Sequence, residues 1–203
     1  MSAPRLVLAS TSPYRREVLG RLGLPFTIAR PDFDERAPLP AHVLTTADTA
    51  THLARGKARS VASLPEHAGA WIIGSDQIVE VEGEIMHKPG GFDAAVAQLL
   101  RMQGRPHRLV TAVVVLAGER EAAAVDTHVL HMRALTPAQA RAYVEADRPL
   151  DCAGSYRIEA RGIALFDRIE ADPECADDTA IMGLPLWKTV RALRALGFDP
   201  LDP

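Results

Sequence analysis

Short apolar runs alternate with stretches of helical period along this chain, and that alternation restricts it to an α/β fold. Leu6–Ala9 reads as a buried strand followed by a Ser/Thr/Pro turn. Ser12 is placed as an N-cap, with Pro13 at the first helical position, where a missing N–H costs nothing. The helix it opens is expected to run to about Leu22 and stop at Gly23. Residues 31–40 form a proline-bounded acidic loop. A second helix over 45–64 follows from the spacing of Leu53, Lys57 and Val61. Residues 71–74 make a second apolar strand, leading into 78–85, where Glu82-Gly83 supplies a hairpin turn. An amphipathic helix over 92–102 precedes two long strands, 110–116 and 122–133. Thr136-Pro137 opens a helix to about Ala146, residues 162–169 read as a further strand, and 184–196 as the closing helix. Two hairpins inside the alternation predict a mixed rather than purely parallel sheet.

The 203 residues suit a single domain spanning 1–203, with no internal repeat or linker. A formal net charge of -3 offers no general attraction to a nucleic-acid backbone, so no nucleic-acid partner is expected. Cys152 and Cys175 are too few for a disulfide scaffold, lack metal-ligand spacing, and read as buried structural thiols. No apolar span approaches membrane length, and the run at 6–9 is too short for a signal peptide. A cytoplasmic protein without a membrane partner is the expectation.

The first strand-to-helix turn carries the strongest chemical signal. Ser10, Thr11 and Ser12 offer hydroxyls there, and Arg15 and Arg16 fall in the first helical turn. Cations at that positive end are disfavoured by ~0.3–1 kcal/mol each unless an anion is near, so the set suits phosphate oxygens. Read locally, both arginines are equally compatible with solvated surface charge. Asp76, in Gly74-Ser75-Asp76-Gln77, follows an apolar strand, where a carboxylate is placed to hold a metal or activate water. Taken alone it is also an ordinary turn residue. Lys88-Pro89 lies across the hairpin, and Lys57 sits between Arg55 and Arg59 as a phosphate ligand or one charge of a solvated face. Asp32, Asp34 and Glu35 cluster in the acidic loop, either solvated or on the metal side. Glu80, Glu82 and Glu84 alternate along the hairpin as one solvated face. The sequence contains no Walker loop, dinucleotide glycine fingerprint, Gly-x-Ser-x-Gly or His-Glu-x-x-His.

In their order along the chain these stretches resemble the Maf family of nucleotide pyrophosphatases. The matching segments are Leu8-Ala9-Ser10-Thr11-Ser12-Pro13-Tyr14-Arg15-Arg16, Asp34-Glu35, Lys57, Ile73-Gly74-Ser75-Asp76-Gln77, Gly83-Glu84-Ile85 and Lys88-Pro89. Cys152-Ala153-Gly154-Ser155-Tyr156, Gly162-Ile163-Ala164-Leu165-Phe166 and Gly183-Leu184-Pro185-Leu186 complete the set. The resemblance implies a fold related to the inosine triphosphate pyrophosphatases, an elongated mixed sheet flanked by helices with a cleft between two lobes. It implies cleavage of a nucleoside triphosphate to a monophosphate and pyrophosphate with a divalent cation such as Mg²⁺ or Mn²⁺. Asp76 then corresponds to the catalytic carboxylate, which also contacts metal together with Glu35. Ser10, Arg15, Arg16, Lys57 and Lys88 correspond to phosphate-binding positions. His87 departs from the family, which has glycine before the Lys-Pro pair. Tyr14, Gln77 and Glu159 stand at the positions that separate subfamilies, and they resemble the branch that cleaves 7-methyl-GTP rather than dTTP and UTP. A methylated guanine is cationic, so Tyr14 would offer it a face, Glu159 an acceptor, and Gln77 both a donor and an acceptor. A homodimer is implied by the family alone. The rival reading of another class is a septum or cell-division regulator acting by binding.

Overall fold

The computed structural model describes residues 4–202. The elements run β1 (Leu6–Ala9), α1 (Pro13–Gly20), β2 (Phe26–Ala29), α2 (Thr46–Ala62), β3 (Trp71–Val81) and β4 (Glu84–Met86). They continue with α3 (Phe92–Met102), β5 (Pro106–Ala117), β6 (Arg120–Met132), α4 (Pro137–Asp147), β7 (Phe166–Glu170) and α5 (Leu186–Ala195). Among the described residues, seven strands form one sheet in the order β2-β1-β3-β5-β6-β7, with β4 paired to β3. β1 is parallel to β2 and β3, whereas β3–β4 and β6–β7 are antiparallel, so the sheet is mixed as expected. No helix among the described residues is long and apolar enough to cross a membrane.

The chain divides into two compact units, residues 1–77, 111–126 and 175–203 in the first and 78–110 and 127–174 in the second. The core of the first gathers Leu6 and Leu8 of β1, Val18 and Leu19 of α1, Ile73 of β3, Val113 and Val115 of β5, and Leu193 of α5. Each such side chain, fully withdrawn from water, contributes about 1.5–3 kcal/mol. In the second unit, Arg141 of α4 lies over the Phe92 ring of α3 at 5.7 Å, and the buried His107 and Tyr156 form an aromatic cluster with the half-buried Phe166.

Caps set the helix starts at Ser12 and Thr136 as expected: Ser12 Oγ accepts from Arg15 N and Thr136 closes a capping box, and the structure adds a second capping box at Thr45. Four expectations are corrected. α1 ends at Gly20, two residues early, because Arg21, Leu22 and Gly23 bond back three residues in a tighter turn. β3 runs unbroken to Val81, so Asp76 stands inside a strand, not at its end. Residues 161–165 form a 3₁₀ turn in which Gly162 N donates to Arg157 O at 2.9 Å, and the strand starts only at Phe166. Both cysteines are half-buried rather than sealed in a core. β2 escapes sequence reading because it is a short edge strand whose central Thr27 and Ile28 are exposed, leaving no clean alternation.

Candidate active site

The site is assembled within the first unit, from the β1–α1 corner, the loop before α2, α2 itself and β3. At the corner, Ser10 is buried and its hydroxyl accepts from Ser12 N at 3.2 Å. Arg15, one turn into α1, donates Nε–H to Gly183 O at 2.8 Å and reaches Ser10 Oγ from Nη1 at 3.4 Å. The guanidinium is thereby held in one orientation. Burial lowers its pKa from the usual arginine value, and the negative charges of Asp76 and Glu35 act in the opposite direction. Tyr14, immediately before it, is half-buried.

Gly74 decides how closely α2 can approach β3. A Cβ on Gly74 would lie 2.3 Å from Ala54 O and 2.8 Å from Ala58 Cβ, so only glycine lets the helix backbone lie on the strand. Asp76, two residues along, is on the same face. Lys57, three residues after Ala54, therefore meets it: Lys57 Nζ donates to Asp76 Oδ1 at 2.6 Å. Lys57 and Asp76 are each only 6% exposed, so the solvated-face alternative for Lys57 is overturned. Glu35, reaching in from the acidic loop, places Oε2 3.1 Å from the same ammonium. Two carboxylates and two cations thus share one locus.

Alternation sends Ser75 and Gln77 to the opposite face of β3. Ser75 Oγ lies 2.7 Å from Ala112 O and 2.8 Å from Gly183 O, and its single proton serves one of them at a time. Gln77 Nε2 shares its two protons among Thr111 Oγ1 (3.1 Å), Ala180 O (2.9 Å) and Ile181 O (3.0 Å). Its donor capacity is consumed inside the protein, so the expectation that Gln77 offers both a donor and an acceptor is corrected: only Oε1 is left to offer. The 177–187 segment is organised by Asp177, whose Oδ1 accepts from Thr179 N (3.1 Å) and Oδ2 from Trp187 N (2.8 Å). Thr179 Oγ1 accepts from Leu186 N at 2.9 Å. This network aims Gly183 O at Arg15. Sequence reading missed Ser75, Asp177 and Thr179; an Asp-x-Thr just before a Pro-led helix was the available signal.

The remaining expected residues are placed as follows. Arg16 is exposed and lines a groove of about 730 Å³ with Pro13, Phe26 and Ile28, beside β2. Lys88 and Glu159 are exposed residues of the second unit. His87, next to Lys88, is held by its carbonyl, which accepts from Gln98 Nε2 at 2.7 Å. The glutamates of the hairpin are not simply solvated: Glu80, Glu82 and Glu84 pair with Arg108, Arg105 and Arg101.

Among the described residues no group of three or more His, Cys, Asp or Glu side chains gathers for a metal. Asp76 and Glu35 nevertheless fit a hard divalent cation. Each spends one oxygen on Lys57 and retains the other, and Mg²⁺ is commonly held by one or two carboxylates plus substrate phosphates and water.

A mixed α/β protein with a buried carboxylate paired to an ammonium, and a guanidinium within reach of its charge at a helix N-terminus, is built to hold an oxyanion beside a base. The chain belongs to the Maf family: the family model described as Maf-like protein matches residues 5–196. A protein of Xanthomonas campestris named 7-methyl-GTP pyrophosphatase is 48% identical over 198 residues, 97% of this chain and 98% of that protein. Proteins of the same name from Xanthomonas oryzae and Bordetella pertussis are each 46% identical, over 96% and 98% of this chain and 98% and 95% of theirs. Among solved structures, a HAM1 protein from Coxiella burnetii aligns over 95% of this chain and 99% of its own, at TM-score 0.49 and 11% identity.

Proposed function

We propose that this chain is a nucleoside triphosphate pyrophosphatase that cleaves between the α- and β-phosphates and takes 7-methyl-GTP as substrate. The observation that carries the reading is the convergence of Lys57 and Glu35 on Asp76, with Arg15 close enough to feel both carboxylates. Asp76 Oδ1 is occupied by Lys57, which leaves Oδ2 to accept the proton of an attacking water. Arg15, pinned by Gly183 O and Ser10, presents its remaining N–H groups to phosphate oxygens. Ser10, Lys57, Arg16 and Lys88 are assigned to phosphate by their family correspondence.

Formal charges in the cluster cancel, two negative against two positive, so it has no surplus to attract a triphosphate. Asp76 and Glu35 would hold a divalent cation, which when bound would supply that surplus and offset charge on the phosphates. The residues themselves contribute position: the α2–β3 contact at Gly74 holds base and ammonium together before substrate arrives.

Tyr14 offers an aromatic face to the cationic methylated base, a contact of roughly 0.5–2 kcal/mol. Glu159 accepts from the base's N1 and N2 protons, and Gln77 contributes Oε1 as acceptor. The protein acts in the cytoplasm, as a homodimer and without nucleic acid.

The test is pyrophosphate release from 7-methyl-GTP, GTP, dTTP and UTP, assayed side by side with and without chelator, and on Asp76→Asn. We expect 7-methyl-GTP to lead and chelator to abolish turnover. Equal or greater activity on dTTP would sink the purine assignment, and a cellular effect that survives D76N would point to a regulator acting by binding.

A further inference from the structure

We propose that Phe33, seated on the bare backbone of α2 at Gly56, is the positioning residue that delivers Glu35 to Lys57. The inference rests on the reading of Glu35 as part of a hydrolytic site, and extends it to how that site is assembled. Glu35 lies in residues 31–40, which contain neither helix nor strand, and its side chain is half exposed. An exposed ion pair does not by itself offset the entropy of ordering such a loop, so its 3.1 Å contact with Lys57 needs another anchor.

The anchor is two residues earlier. Phe33 Cζ, Cε2 and Cε1 lie 2.3, 2.4 and 2.7 Å from where a Cβ on Gly56 would stand, so the ring occupies the space a side chain would take. His52, one turn before Gly56 on the same helix face, meets the ring edge-on at 6.0 Å and 61°. Lys57 is the next residue on the helix. Between ring and carboxylate the chain is turned by Asp34, whose Oδ1 accepts from Arg36 N at 3.0 Å and whose carbonyl accepts from Ala37 N at 3.3 Å. Phe33 is not a catalytic residue; it acts through Glu35.

The discriminating set is Phe33→Ala, Phe33→Leu, Gly56→Ala, Glu35→Gln and the F33A/E35Q double variant. G56A keeps Phe33 but fills its seat, while alanine favours the helix, so loss of fold does not explain its effect. Pyrophosphate release on 7-methyl-GTP and hydrogen exchange of residues 31–40 are measured for each. We expect F33A and G56A to lower kcat/KM by about tenfold to a hundredfold, to speed exchange in the loop, and to leave urea midpoints near the parent's. F33L recovers part of both. Added to E35Q, F33A costs nothing further, because its effect passes through Glu35. A full multiplicative loss in the double variant, unchanged exchange, or full activity in F33A and G56A overturns the proposal. If the parent chain hydrolyses no triphosphate, the pyrophosphatase reading falls, while the exchange arm still decides whether the ring pins the loop.

Discussion

Asp76 and Lys57 are each 6% exposed and lie 2.6 Å apart, and a buried carboxylate or ammonium is costly there without the other. Lys57→Met therefore leaves an uncompensated buried carboxylate and is expected to destabilise the protein by about 3–5 kcal/mol, besides abolishing turnover. Asp76→Asn differs: Lys57 keeps Glu35, so urea unfolding should shift far less, while turnover falls by about 10²–10⁴. Comparable destabilisation by both would mean that Glu35 gives the ammonium no support. His107 supplies a separate test. It is 2% exposed, its Nε2 lies 3.1 Å from Tyr156 OH, and its Nδ1 has no hydrogen-bond partner among the described residues. Burial, with a smaller contribution from the charge of His131, pushes its pKa down to about 4. The unfolded chain takes up that proton near pH 6.5 and the folded one only near 4, so stability is full above 6.5 and declines as pH falls through the window. The loss is on the order of 3 kcal/mol. His107→Gln, which keeps a polar group beside Tyr156, should flatten the fall in urea midpoint between pH 7 and pH 4.5. An unchanged slope would remove His107 as its source.

At the scale of elements, the contact of α2 with β3 is what makes the site. Gly74→Ala would drive a Cβ into Ala54 O, which is backbone and cannot swing aside, so helix and strand must separate. We expect a destabilisation of about 1–3 kcal/mol and a loss of activity larger than a global stability change of that size produces, because Lys57 and Asp76 part. Retained activity in a destabilised G74A protein would show that the pair tolerates the shift. Much of this architecture was legible in the chain. Caps at Ser12 and Thr136 announced two helices, the spacing of Leu53, Lys57 and Val61 a third, and Glu82-Gly83, both at positive φ, announced the hairpin. What stayed hidden depends on partners distant in sequence. The polar run Ser75-Asp76-Gln77 looked like a strand end because its satisfaction comes from Gly183, Lys57 and Ala180, which periodicity does not report. Lys57 looked solvated for the same reason. The 161–165 turn was mistaken for strand because its apolar residues follow no alternation that separates strand from 3₁₀ turn.

For the whole molecule the governing fact is charge. To act as proposed, a chain of formal net charge -3 must bind a triphosphate group carrying about four negative charges, and its central cluster is already neutral. Long-range attraction is therefore absent, and Arg15 and Lys57 are partly committed to Asp76 and Glu35 before the ligand arrives. Affinity must depend on added cation. With an analogue of 7-methyl-GTP carrying methylene in place of the α–β bridging oxygen, calorimetric titration should give binding at least about a hundredfold weaker in chelator than in Mg²⁺, some 2.7 kcal/mol. In Glu35→Gln the cluster gains one positive charge and loses one oxygen ligand, so the chelator titration should tighten while the Mg²⁺ titration weakens, and the two converge. Equal affinity with and without Mg²⁺ in the parent protein would contradict the charge balance on which this prediction stands. It would require cations beyond Arg15 and Lys57 to hold the phosphates, and the exposed Arg16 and Lys88 would be the first to substitute.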